Sequence, residues 1–125
     1  KTTESEVKRR DPTPDDISQI KAEILTLPHV TDARLTYSPE RFGNEASWNG
    51  LVTVDTTKHD LQLQTLRDVL ELLWRKAELT NAAAYGFSVI DSPGSGINGE
   101  DLGFGGDLSY SDMEELFGPR PTPTS

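Results

Sequence analysis

At 125 residues and 34% hydrophobic, the chain has room for one domain with a modest core. Its net charge of −9 works against nucleic-acid phosphates and anionic lipid headgroups, which call for a basic footprint. The absence of cysteine excludes a disulfide framework, a thiolate metal site and a cysteine nucleophile, and no apolar run nears the roughly 20 residues of a membrane span.

Residues 1–13 (KTTESEVKRRDPT) carry one large aliphatic side chain, Val7, among charges, Thr and Pro. So little apolar surface does not offset the entropy of ordering, and the segment reads as a flexible tether. A helix then starts: Thr13 as N-cap, Pro14 at the first helical position, and Asp15 and Asp16 in the first turn all suit unpaired amides and the positive dipole end. Ile17, Ile20, Ile24 and Leu25 form its apolar stripe, and Pro28 stops it.

From residue 30 to 37 (VTDARLTY) the period changes to alternation, with Ala33, Leu35 and Tyr37 on one face. The loop over residues 38–46 has the Pro, Gly and Asn of a connection. A second strand over residues 47–56 places Trp48, Val52 and Val54 on one face and Asn49, Leu51 and Thr53 on the other. Residues 60–77 (DLQLQTLRDVLELLWRKA) are the most periodic stretch, an amphipathic helix with Leu63, Leu66, Val69, Leu70, Leu73 and Trp74 inward and Asp60 as the expected N-cap. A third strand, residues 85–90, turns Tyr85, Phe87 and Val89 inward.

The order helix, strand, strand, helix, strand predicts an α+β two-layer sandwich. Two helices lie on one face of a small, mainly three-stranded sheet, its first two strands antiparallel and the second and third parallel. The arrangement resembles the ferredoxin-like group without its first strand, and the small sheets of ring-building modules. The sandwich core is expected over residues 14–91, a Gly-rich acidic loop over 92–108, a short helix over 109–121 and a tail over 122–125. Ser111 and Glu114 spell a capping box for that helix, with Met113, Leu116 and Phe117 as its apolar edge. Leu51 and Ile90 are apolar on the outer sheet face, which makes that face the expected landing place for Leu116 and Phe117.

Three constellations are candidates for function. His29, His59, Asp55 and Asp91 fall at one end of the sheet, as ligands of a metal or as an acid–base pair. Asn98, Glu100, Asp101 and Asp107 are hard oxygen ligands on a pliable backbone, suited to calcium, although the EF-hand spacing is absent. Gly94, Gly96 and Gly99 spell G-x-G-x-x-G after a strand, but no helix opens there and the neighbouring acids repel a pyrophosphate. Leu51, Ile90, Asp112, Glu115 and Phe117 make the third set, a partner-binding surface in a region of seven acids against one arginine between residues 91 and 120.

The stretches LPHVTDARLTY, LLWRK and YSDMEELFGPRP, within residues 17–121, resemble small secreted or lipid-anchored actinobacterial proteins of unknown function. The resemblance implies an export signal and a lipid-modified cysteine upstream of Lys1, with the tether as stalk, and therefore an extracytoplasmic location with membrane contact only through that lipid. It implies no activity. The sequence thus supports a noncatalytic interaction module with a protein partner, no nucleic acid and no cofactor. Its alternatives are a metal-dependent or acid–base enzyme at the histidine end and an acidic inhibitor or immunity-type protein that masks a basic partner.

Overall fold

Where the hydrophobic period changes along the chain, the backbone changes with it. The structure, a computed structural model, describes residues 9–91 and 94–122. Residues 1–8 of the expected tether, Ser92 and Pro93 of the glycine loop, and tail residues 123–125 lie outside the described residues.

Helix α1 (Pro14–Ile24) starts where its capping chemistry dictates: the Thr13 hydroxyl accepts from the Asp16 amide while the Asp16 carboxylate accepts from the Thr13 amide. Ile20 and Ile24 are buried beneath it. Strands β1 (Val30–Ser38) and β2 (Ser47–Val54) pair antiparallel, and β2 runs parallel to β3 (Ala84–Ile90) through helix α2 (His59–Trp74). Trp48, Val52, Val54, Tyr85, Phe87 and Val89 face the helices and meet Leu66, Val69, Leu70, Leu73 and Trp74 of α2 in one core. The protein is therefore an α+β fold with a mixed sheet and helices packed on it, as the sequence predicts.

The sheet has five strands rather than three. Two short ones, β4 (Gly96–Asn98) and β5 (Leu108–Ser109), pair antiparallel with opposite ends of β3, and a 3-10 turn (Gly99–Leu102) lies between them. The segment expected to be a glycine loop is thus partly sheet, because the free edge of β3 offers backbone partners that any sequence can use.

Helix α2 also differs from expectation. Its N-cap is Lys58, which makes no side-chain cap bond, and Asp60 is the second residue of the helix. Here the buried Gln62 amide donates back to the Thr56 carbonyl at 2.9 Å. The helix ends at Trp74 because a distant side chain takes over its last carbonyls. Arg120 donates to the oxygens of Trp74 and Lys76 and to Asn81 Oδ1, while the Trp74 indole donates to the Gly118 carbonyl at 2.9 Å.

Helix α3 (Tyr110–Phe117) is capped by Ser109 and Asp112, not Ser111 and Glu114. That earlier start puts Tyr110, Met113 and Phe117 on one stripe, with Met113 fully buried. Tyr110 lies against Trp74 with ring centroids 4.9 Å apart, and Arg67 sits over the Phe117 ring. The helix therefore packs beside α2 in the helical layer, so Leu116 and Phe117 do not land on the outer sheet face. The end of the expected tether is likewise held: Arg10 bridges Leu79 through paired backbone hydrogen bonds, Arg9 donates to the Ala77 and Pro121 carbonyls, and the Tyr37 hydroxyl donates to Asp11.

Two outcomes follow from this wiring. Arg120→Ala strips partners from three buried or half-buried acceptors and should lower stability by about 2–3 kcal/mol, read as a shift in urea midpoint without a change in slope. The Arg10 guanidinium and the Thr13 amide hold the Asp16 carboxyl well below the usual carboxylate range. A depressed folded pKa adds stability above the unfolded value of about 3.9 and loses it as pH falls from there toward the folded value. Asp16→Asn should therefore show a flatter loss of thermal stability below about pH 4 than the parent.

Candidate functional site

The end of the sheet predicted to gather histidines brings two of the four residues together. His29 follows the Pro28 stop with a left-handed backbone, φ 70°, and its carbonyl accepts from the Asp55 amide at 2.9 Å. The same register sets His29 Nδ1 as donor to Asp55 Oδ1, also at 2.9 Å, with both side chains substantially exposed. Asp91 is buried and used otherwise: its Oδ1 accepts from the Gly94 and Ser95 amides and closes the turn between β3 and β4. His59 is the exposed first residue of α2. Among the described residues, no three His, Asp or Glu side chains are arranged to hold a metal ion.

The residues expected to ligate calcium are likewise divided between tasks. Asn98 Oδ1 accepts from the Glu100 amide and Asp101 Oδ2 from the Asn98 amide, a reciprocal cap on the 3-10 turn. Asp107 lies elsewhere, its carboxylate over the outer side of Gly86, where a Cβ would meet Oδ1 at 2.5 Å. Gly86 is the one residue type that allows this approach.

With α3 in the helical layer, the opposite face of the sheet is uncovered by any helix among the described residues. On it Leu51 stands between Arg34 on β1 and Ser88 on β3, and Ile90 stands beside Thr53, which makes Leu51 and Ile90 diagonal neighbours. Both are partly exposed. Acids gather at the β3–β4 margin: Asp107 over Gly86, and Glu100 and Asp101 lining an open cleft of about 350 Å³ with Ser88 and Ile90. Of the other expected partner-binding residues, Asp112 caps α3, Glu115 is exposed on it and Phe117 packs under Arg67. The sheet separates these three from Leu51 and Ile90.

One surface feature was missed in the sequence. Between β1 and β2, Arg41 and Asn44 exchange two backbone hydrogen bonds of 2.9 Å around a two-residue turn, Phe42-Gly43, with φ of 53° and 85°. Two left-handed residues in a hairpin tip favour Asn-Gly or Asp-Gly. Here the first position is Phe42, 95% exposed. A bulky residue in that conformation costs about 1–2 kcal/mol and gains nothing back from burial in its own fold. The signal was available: a Phe-Gly pair centred in RFGN, within a segment joining two alternating strands.

Replacing Phe42 by Asn, which tolerates the left-handed region, should raise unfolding stability by roughly 1 kcal/mol. With the chain dilute enough to be monomeric, a urea midpoint at or below that of the parent would mean that the turn does not strain this residue.

Compared with protein-family models, with curated proteins and with solved structures, the chain matches none.

Proposed function

We propose that the chain is a noncatalytic interaction module that holds a basic protein partner against the open face of its sheet. The observation that carries this reading is the pairing of Leu51 and Ile90 with an acidic margin of Glu100, Asp101 and Asp107 on a face that no helix among the described residues covers. An apolar centre with a charged rim is the usual anatomy of a protein interface; this rim is acidic on its β3–β4 side and carries Arg34 beside Leu51 on its β1 side, so the acidic side is the one that attracts a basic partner. A partner of alternating basic and apolar residues fits both parts. The extracytoplasmic location belongs to the same proposal and rests on the LPHVT, LLWRK and ELFGPRP resemblance; a lipobox cysteine in the genomic sequence upstream of Lys1 would support it.

A synthetic peptide of alternating Lys and Leu tests the face directly. Amide shifts in a titration should cluster at Leu51, Ser88 and Ile90, and Leu51→Ser should weaken binding about fivefold. Affinity should also fall as salt rises from about 0.05 to 0.5 M. Equal binding of a Ser/Leu peptide, or shifts centred on Asp112 and Glu115, would sink the assignment. A second reading, acid–base or metal chemistry, rests on the His29–Asp55 hydrogen bond; zinc or nickel raising the melting temperature would favour it.

A further inference from the structure

The Phe42 tip and a second cleft, both away from the proposed sheet-face site, belong together. An open cleft of about 490 Å³ is lined by Ala82, Ala83 and Tyr110 together with Asn81, Ser109 and Ser111, with Glu45 on its wall. Glu45 also lines the recess beside Arg41 and Phe42, so knob and cleft are neighbours on one surface. Each half is preorganised. The knob is held by the paired Arg41–Asn44 hydrogen bonds. In the cleft, Tyr110 is backed by Trp74, and Asn81 is tied down by Arg120. Rigid halves lose little conformational entropy on docking. Phe42 has a cation beside it, Arg41, and the cleft has an anion, Glu45, so two copies present complementary charge.

We propose that the chain pairs with a second copy of itself about a two-fold axis. Each Phe42 ring enters the cleft of Ala82, Ala83 and Tyr110 on the other copy, and each Arg41 meets the other copy's Glu45. With knob and cleft adjacent on one patch, a two-fold axis lets both be filled at once, and such a reciprocal contact closes as a dimer rather than running on as an open chain. The pairing also accounts for a strained, almost fully exposed aromatic residue in a turn that Asn would form more readily.

Sedimentation velocity of the purified chain from about 1 µM to 1 mM tests this. The weight-average mass should climb from monomer to dimer, and Phe42→Ala should move the midpoint up by about tenfold or more. Arg41→Glu and Glu45→Arg should each weaken pairing, and the double swap should restore it to within about threefold of the parent. Phe42, Arg41 and Glu45 are all exposed, and circular dichroism melts verify that the variants stay folded. A monomer throughout the range would overturn the proposal. So would a dimer indifferent to Phe42→Ala, a double swap no better than its parts, or assemblies larger than two.

Discussion

The C-terminal end of α2 depends on a single guanidinium. Arg120 is 9% exposed and makes no ion pair among the described residues; its hydrogen bonds go to the carbonyls of Trp74 and Lys76 and to the Asn81 side chain. A helix end leaves carbonyls unpaired and carries partial negative charge, and α2 has no basic residue in its own last turn. Arg120 supplies both donor and charge from 46 residues away. Desolvation lowers its pKa, yet an arginine starts so high that it stays charged. The Trp74 ring adds a face for the cation, 5.9 Å from its centroid.

The same junction gathers the end of α3, the residues that follow it and Arg9. Arg75 donates to the Phe117 carbonyl, Arg9 to those of Ala77 and Pro121, and the Trp74 indole to that of Gly118. Cationic and indole donors thus satisfy backbone oxygens where three segments meet, Arg75 sharing its guanidinium with Glu71 at 3.3 Å. That arrangement turns α3 toward α2 and away from the sheet's far side. The open outer face is therefore a consequence of where Arg120 and Trp74 bind, not of weak apolar character in α3.

The fold was largely legible because its main elements obey simple periods. Alternation in β2 and β3 and the 3.6-residue stripe of α2 place the inward residues correctly, and the Thr13-Pro14-Asp15-Asp16 start is read directly from cap chemistry. Strands of two or three residues such as β4 and β5 contain no period to read, and their existence depends on the unpaired edge of β3. Asp60 misled because a good capping residue sits one turn position inside a helix whose actual cap is Lys58. For the site, strand parity places Leu51 and Ile90 outward, but the docking of α3 is settled by Arg120 and Trp74 across long sequence separations, which no local pattern encodes.

Charge was the least reliable guide to function, for a physical reason. Many of the acids that give the chain its charge of −9 are occupied with backbone amides: Asp16 and Asp112 cap helices, Asp101 caps the 3-10 turn, and Asp91 closes the β3–β4 turn. Their charge persists, but their orientation is dictated by the fold, and a carboxylate already engaged with backbone amides, one each at Asp16, Asp101 and Asp112 and two at Asp91, has less to offer a partner. Asp91 is also buried. Glu100 and Asp107 remain exposed beside the sheet face, Asp101 keeps its second oxygen outward of the cap, and Glu114 and Glu115 face solvent on α3. The acidic segment thus resolves into a margin that borders Leu51 and Ile90 and a separate helical face across the sheet. A basic partner meeting the margin gains apolar burial together with charge neutralisation, whereas one meeting α3 gains charge alone, and exposed charge by itself contributes little in salt.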